Sequence, residues 1–269
     1  ITGGSSGIGL ASAHKMAAAG AKVLICARGE DDLIKAKAEI EAGHKGAQVF
    51  TYTADLADIA SCDALVQQIT TQHGGVDILV NNAGRSIRRS IALSYDRFHD
   101  FERTMQLNYF GSLRLIMGFL PGMTAKHRGH VINISSIGVL TNAPRFSAYV
   151  ASKAALDAFS RCAASEFSDK NIHFTIINMP LVRTPMSPEE AADLVVKAVI
   201  ERPQRIATRT GIFAEMAHLT VPTMYQVLMN TAFNLFPDSA AAKGQKANSE
   251  EPASSEQVAF ATLMRGVHW

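Results

Sequence analysis

The residues of this chain best placed to do chemistry are Tyr149 and Lys153, four positions apart, with Ser136 upstream of them. Positions i and i+4 of a helix lie on one face, so the phenol and the ammonium can reach the same point. A free tyrosine titrates near pH ~10, and a nearby cation lowers that pKa; bringing it to about 7 takes roughly 4 kcal/mol. The pair predicts a proton donor to a carbonyl oxygen that receives a hydride. The spacing alone is more often that of an ordinary surface helix.

The elements that must position these residues alternate between apolar strands and amphipathic helices. The pattern predicts strands over 22–27, 49–53, 76–80, 130–134 and 173–177. It predicts helices over 9–19, 31–42, 59–72, 148–167 and 188–201, and a long helix over 95–123 that is interrupted near Asn108. This alternation is typical of an α/β fold with a Rossmann-like, doubly wound parallel sheet. A methionine- and aliphatic-rich segment that Pro222 interrupts follows as a C-terminal helical extension.

Composition and charge exclude several classes of protein. The chain has 269 residues, of which 47% are hydrophobic and 19% charged, and this composition supports a folded core rather than disorder. A formal net charge of +2 gives no case for nucleic-acid binding. Three widely spaced cysteines match neither a disulfide framework nor a zinc site, so we expect no metal and a reducing, cytoplasmic compartment. No apolar stretch reaches membrane-spanning length, although peripheral membrane contact stays open.

A glycine-rich run stands where a strand should turn into a helix. Glycines allow the tight turn and let the backbone approach a pyrophosphate, which the helix N-terminus then binds. The run predicts nucleotide contacts from Gly3, Ser5, Ser6, Gly7, Ile8 and Gly9. Such a turn normally follows a buried strand of several residues, so we expect the natural polypeptide to extend upstream of Ile1.

The residue after the second predicted strand indicates which nicotinamide cofactor binds. An acidic residue at this place would accept hydrogen bonds from the ribose of NAD, but Ala27 and Arg28 stand there. Arg28 can pair with a 2′-phosphate, which favours NADP (NADPH). Asp55, with Leu56 beside it, either binds the adenine amine or caps the following turn.

Together these residues resemble the short-chain dehydrogenase/reductase superfamily, over about residues 2–184. The resemblance implies that Tyr149 is the general acid, that Ser136 holds the substrate oxygen, and that Lys153 binds the nicotinamide ribose and lowers the tyrosine pKa. It implies that Asn108 anchors a water in a proton relay. The remaining cofactor contacts that it implies are Asn82, Ala83, Gly84, Pro180, Val182 and Thr184. The Pro-Gly step of the superfamily is Pro180-Leu181 here, so the sequence departs from the superfamily pattern in this loop.

Segments outside the shared motifs resemble bacterial long-chain fatty acyl-CoA reductases, which occur alone or as the C-terminal domain of a two-domain reductase. They are residues 84–90, 96–103, 142–149, 179–186, 205–208 and 268–269. The resemblance implies an acyl-CoA substrate and, from the superfamily, a homo-oligomer. That group has about a dozen more residues where Met186 runs into Ser187 in this chain. We therefore expect the substrate loop to be shortened or missing there.

The sequence leaves several assignments open. Arg85, Arg88 and Arg89 form a basic cluster that either binds coenzyme A phosphates or is a solvated loop. We expect an NADP-binding catalytic domain over 1–210, an apolar extension over 211–236 that serves as a substrate lid or oligomer contact, and a polar, partly mobile tail over 237–269. The predicted reaction is NADPH-dependent reduction of a long-chain acyl-CoA to the aldehyde. Alternatives are reduction of an aldehyde, ketone or 3-ketoacyl thioester, or a nucleotide-binding scaffold without turnover.

Overall fold

Parallel strands with helices on both faces form the part of the chain that the computed structural model describes, residues 1–180, 186–235 and 242. The strands are β1 (Lys22–Ala27), β2 (Gln48–Thr53), β3 (Ile78–Asn81), β4 (Gly129–Ser136), β5 (Ile172–Met179) and β6 (Arg205–Ile206). The helices are α1 (Gly7–Ala18), α2 (Glu30–Gly43), α3 (Ile59–His73), α4 (Phe98–Met105), α5 (Ser112–Ala125), α6 (Ile137–Thr141), α7 (Ser147–Glu166), α8 (Pro188–Glu201), α9 (Arg209–Thr220) and α10 (Pro222–Leu235). A π-helical segment, Gln106–Gly111, joins α4 to α5.

Strand pairing divides the sheet into two parts, β1–β2 and β3–β4–β5–β6, and every pair is parallel. Ile1 and Thr2 lie between the two parts. The Cys26 N–H donates to the Ile1 carbonyl at 3.1 Å, and the Thr2 N–H donates to the Val80 carbonyl at 3.0 Å. These bonds join the parts into one order, β2–β1–β3–β4–β5–β6, with Ile1 and Thr2 between β1 and β3. The predicted doubly wound parallel sheet is confirmed.

Two apolar layers cover the sheet and fix the position of its strands. On one face α3, α5 and α7 bury Leu65, Leu115 and Leu156. On the other face α2 and α8 bury Leu33 and Val195. Strands β4 and β5 are buried along almost their whole length, as the central strands of a parallel sheet are. The packed core therefore fixes the positions of the side chains at the ends of these two strands.

The predicted site residues gather where the strands end. Arg28 follows β1, Asn82 follows β3, Ser136 closes β4 and Pro180 follows β5. Helix α7, which carries Tyr149, packs on both β4 and β5. In open α/β sheets ligands bind at the carboxyl edge of the strands, so this edge is where the site is expected.

The segment after β6 forms the two helices α9 and α10, with the break at Pro222 that the sequence predicts. The Tyr225 hydroxyl donates to the Thr141 carbonyl at 2.7 Å. A Cβ on Gly211 would lie 2.9 Å from Leu140 Cδ1, so α9 also packs closely on α6. Within the described residues no helix is both long and apolar enough to cross a membrane.

Candidate active site

The glycine turn has the shape that an anionic group requires. Gly3 and Gly7 adopt positive φ angles of 64° and 54°. A Cβ on Gly7 would meet no atom within 4 Å, whereas a Cβ on Gly9 would lie 2.2 Å from the Gly3 carbonyl oxygen. Ser6 precedes α1 without a side-chain capping bond, so the first-turn amides of α1 remain available to an anion. The turn combines an open face at Gly7 with close packing at Gly9, and this combination fits a pyrophosphate.

The loop after β3 is fastened to the glycine turn through Thr2. The backbone N–H groups of Asn82 and Ala83 both donate to Thr2 Oγ1 at 2.9 Å. Asn82 Nδ2 donates to the Thr2 carbonyl at 2.9 Å and to the Gly3 carbonyl at 3.4 Å. The two predicted nucleotide-binding segments therefore form one hydrogen-bonded unit.

Asn108 lies in the π-helical segment and clamps the next stretch of this loop. Its Oδ1 accepts the Arg85 N–H at 2.8 Å, and its Nδ2 donates to the Arg85 carbonyl and to Ser152 Oγ, each at 2.9 Å. The π geometry, which is frequent at functional sites, is the interruption that the sequence predicts near this residue. A Cβ on Gly84 would lie 3.2 Å from both Asn108 Oδ1 and Lys153 Nζ, so Gly84 leaves room for these two groups.

The structure brings together the three residues predicted to do the chemistry. Ser136 Oγ accepts the Gly138 N–H at 3.0 Å, which orients its hydroxyl, and Ser136 lies close enough to Tyr149 to lower the pKa of the phenol. Lys153 is buried and donates from Nζ to the Ile134 carbonyl at 2.7 Å. The i, i+4 spacing thus places the phenol and the ammonium on the same face of α7, against the end of β4.

The pKa values of this group differ from the sequence-based expectation. Burial raises the pKa of Tyr149, while the hydrogen bond from Ser136 lowers it and the Asp157 carboxyl raises it. The predicted lowering by Lys153 is not found in this structure. Burial lowers the pKa of Lys153 to about 8, with Asp157 acting in the opposite sense. At neutral pH the phenol keeps its proton and the lysine is mostly charged.

A model of the short chain dehydrogenase family matches residues 1–194, which include every site residue described so far. The chain belongs to the short-chain dehydrogenase family. It is therefore an oxidoreductase by family, and the open face at Gly7 lies where a dehydrogenase of this fold binds its dinucleotide.

Comparisons with individual dehydrogenases add to the family match. Over its whole length the chain is 52% identical to a fatty acyl-CoA reductase of Acinetobacter baylyi, of which it covers 94%. It is 42% identical to a fatty acyl-CoA reductase of Mycobacterium tuberculosis, with 85% of this chain and 82% of that protein aligned. The solved structure of L-sorbose reductase from Gluconobacter frateurii, complexed with NADPH and L-sorbose, is 31% identical with a TM-score of 0.70 over 75% of this chain and 89% of that chain. The predicted family resemblance is confirmed.

This dehydrogenase also has a buried acidic residue that the sequence analysis missed. Asp157 lies one helical turn beyond Lys153, and its Oδ2 accepts a hydrogen bond from Asn178 Nδ2 at 3.1 Å. Burial raises the pKa of Asp157, and hydrogen bonds from Ser135 and Asn178 oppose that effect. The i, i+4 spacing of lysine and aspartate was the available signal, because such pairs face one another on a helix.

The two polar candidates at the cofactor edge of the dehydrogenase fold differ in how they are held. Arg28 is exposed directly after β1. Asp32 lies in the first turn of α2, and its Oδ2 atom is 3.0 Å from the position that a Cβ atom on Gly29 would take. Asp55 Oδ1 accepts the Ala57 N–H at 3.0 Å, so this carboxylate caps its own turn. The turn-capping alternative for Asp55 is therefore realised, and its second oxygen is left for other partners.

The basic cluster of residues 85–89 does not act as one unit. Arg89 turns inward, where its Nε donates to Asp100 Oδ2 at 3.2 Å, and Asp100 is buried. Arg85 is exposed and contacts Asn108 through its backbone. Burial and the ion pair with Asp100 already engage the Arg89 guanidinium, so Arg85 is the more accessible of these two arginines.

Two predicted cofactor contacts, Val182 and Thr184, lie outside the described residues, as do residues 236–241 and 243–269. Pro180 is described and buried at the end of β5. Ser187 caps α8: its Oγ accepts the Glu190 N–H at 3.2 Å, and Glu190 Oε2 accepts the Ser187 N–H at 2.8 Å.

Proposed function

We propose that this protein reduces a long-chain fatty acyl-CoA to the fatty aldehyde with NADPH. The observation that carries the proposal is the intact Ser136–Tyr149–Lys153 group in a chain that is 52% identical, along its full length, to a fatty acyl-CoA reductase. The bound cofactor supplies the hydride. Residues of this chain bind the substrate oxygen, donate the proton and hold the cofactor.

In this proposal Ser136 and Tyr149 hold the thioester oxygen. The Ser136 hydroxyl is oriented by the Gly138 N–H, and both side chains are available to donate to the charge that develops on that oxygen. Tyr149 gives its proton as the carbonyl carbon accepts the hydride, and this forms a hemithioacetal. The C–S bond then breaks, so that the aldehyde and the thiol of coenzyme A leave. Lys153 holds the cofactor ribose, and Asn108 fixes the loop at Arg85 and anchors the relay water.

The choice of NADPH over NADH rests on Arg28 and on the likeness to L-sorbose reductase, which was solved with NADPH. We expect Arg28→Ala to raise the KM for NADPH about ten- to hundred-fold, because a charged hydrogen bond contributes roughly 1.5–3 kcal/mol. The KM for NADH should stay nearly constant. Steady-state kinetics with both cofactors measure the ratio, and Lys35→Ala on α2 is the control. Equal changes for both cofactors would show that Arg28 does not contact the 2′-phosphate.

The proposed reaction has two products that one assay can separate. We expect the protein, incubated with palmitoyl-CoA and NADPH, to oxidise NADPH and release free thiol in equal amounts. A thiol reagent added to quenched samples measures the release. NADPH oxidation with an aldehyde or a 3-ketoacyl thioester, but no thiol from palmitoyl-CoA, would favour the second candidate, a carbonyl reductase.

The carbonyl reductase is the second candidate because it needs the same three residues, and the 31% identical sorbose reductase acts on a sugar. A scaffold without turnover is disfavoured by the retained Ser136–Tyr149–Lys153 group.

We also propose a cytoplasmic, reducing setting, which the free thiols of Cys26, Cys62 and Cys162 support. Exposed apolar side chains of α9, such as Phe213 and Leu219, support contact with a second copy of the chain.

A further inference from the structure

Helix α7 presents two buried ionisable side chains to the end of the sheet. Lys153 and Asp157 lie one helical turn apart, and the two residues are only 3% and 2% exposed. Because residues i and i+4 share a face of a helix, the ammonium and the carboxyl are turned to the same side. Opposite charges interact more strongly in a poorly solvated interior than at a surface. The lysine belongs to the proposed catalytic group, whereas the proposed reaction gives the aspartate no role.

Both side chains are fixed against the end of β4. Lys153 Nζ donates to the Ile134 carbonyl at 2.7 Å. Asn178 on β5 donates from Nδ2 to Asp157 Oδ2 at 3.1 Å, and the same nitrogen donates to the Ser136 carbonyl at 3.4 Å. The carboxyl of Asp157 is therefore anchored beside the strand end that carries the reacting group.

The bond to Asn178 needs an acceptor at position 157 but not a negative charge. An asparagine there would have the same shape and would offer Asn178 the same kind of oxygen. A buried carboxylate is more costly than a buried amide unless a cation faces it. Two cations do so along α7, Lys153 one turn before Asp157 and Arg161 one turn after it. Arg161 is exposed to solvent, so the buried Lys153 is the cation that depends on this carboxylate.

The surroundings of Lys153 show what the carboxylate contributes. Burial lowers the pKa of Lys153 to about 8, and Asp157 acts against that lowering. The ammonium is also faced by the Ile134 carbonyl from β4, by Gly84 from the loop after β3 and by the Tyr149 phenol from its own helix. None of these three supplies a negative charge at neutral pH. Loss of the Asp157 charge would therefore leave a larger share of the lysine neutral.

We infer that Asp157 is a positioning residue, which acts through Lys153 by keeping the lysine ammonium charged where the cofactor ribose binds. Asp157 itself touches neither substrate nor cofactor. The inference rests on the role that the proposed function gives to Lys153, and it holds for any carbonyl substrate. Its consequence is a pH limit on cofactor binding. The affinity for NADPH falls as the pH rises through about 8, because only the charged lysine makes a charge-assisted hydrogen bond to the ribose.

The Kd for NADPH, followed by fluorescence titration from about pH 6 to about pH 9, measures this limit. The parent protein carries Tyr149→Phe, so that the phenol does not titrate. We expect Asp157→Asn to move the midpoint at which affinity is lost to a lower pH, because the charge is gone while shape and acceptor remain. Near pH 8 the Kd should rise about three- to ten-fold, and near pH 6 it should stay within about two-fold.

Three further variants separate charge from structure. Asp157→Glu keeps the charge and should keep the midpoint of the parent, although its longer side chain lowers stability. Glu166→Gln removes the same charge from the exposed end of α7, about 20 Å along the helix from Lys153, and should change the Kd at no pH. Lys153→Met should abolish the pH dependence, and adding Asp157→Asn to it should have no further effect, as a residue that acts through the lysine requires.

Two outcomes overturn the inference. One is an unchanged midpoint in Asp157→Asn, and the other is a Kd that rises by the same factor at every pH, which would make Asp157 a purely structural residue. Denaturant unfolding shows whether Asp157→Asn is folded. If it is not, Asp157→Ser takes its place, since it also has an oxygen without a charge. Failure of the parent to bind NADPH, or absence of thiol release by the wild-type protein, is a separate result that contradicts the proposed function itself.

Discussion

Tyr149→Phe is expected to reduce kcat for palmitoyl-CoA by about 10²–10⁴-fold, the usual contribution of general acid catalysis. The substitution removes one oxygen from a partly exposed ring and leaves the packing of α7 intact. Burial raises the pKa of this phenol, so in the resting protein it carries the proton that the substrate oxygen needs. A residue that is protonated at neutral pH is prepared to donate, which agrees with catalysis in the reducing direction.

The same variant separates a catalytic role from a structural one. NADPH binding, followed by fluorescence titration, should stay within about two-fold of wild type, because the glycine turn and Lys153 are unchanged. Tyr95→Phe is the control, since Tyr95 is 83% exposed and is not one of the site residues. Turnover that survives in Tyr149→Phe would assign the proton to another group. Loss of NADPH binding would instead mean that the phenol supports the fold of the site.

Lys153 and Asp157 show where the sequence-based account of the site was incomplete. The Tyr149–Lys153 spacing correctly predicted a shared helical face, because i, i+4 geometry is local. The electrostatics are not local: the pKa of Tyr149 follows burial under a packed sheet edge and the acidic group at Asp157. Asp157 is held by Asn178, which lies on a different element. Periodicity along one helix cannot reveal such a contact.

The fold was predictable where the pattern is long and repeated. Five of the six described strands and the break near Asn108 follow from alternating apolar runs. Helix α6 and strand β6 were missed, because five and two residues are too short for a period to show. The inward turn of Arg89 onto Asp100 was missed as well, since a basic cluster in sequence carries no information on which side chain is buried.

Gly9→Ala is expected to weaken nucleotide binding. The added Cβ would lie 2.2 Å from the Gly3 carbonyl oxygen and 2.7 Å from Asn82 Nδ2. The first of these neighbours is backbone, which has no rotamer to yield, so the turn itself must move. Asn82 also bonds to the Thr2 carbonyl, and the displacement therefore passes to the loop after β3. Both halves of the predicted nucleotide site would shift together.

Titration with NADPH and denaturant unfolding measure the two consequences of that shift. We expect the Kd for NADPH to rise at least about ten-fold, and the free energy of unfolding to fall by roughly 1–3 kcal/mol, as overpacking does. Gly122→Ala is the matched control, because a Cβ on this residue of α5 meets no atom within 4 Å. It should gain up to about 1 kcal/mol from helix propensity and bind NADPH normally. If Gly9→Ala loses stability but keeps wild-type affinity, the close contact at Gly9 serves packing of α1 alone, and the pyrophosphate lies elsewhere.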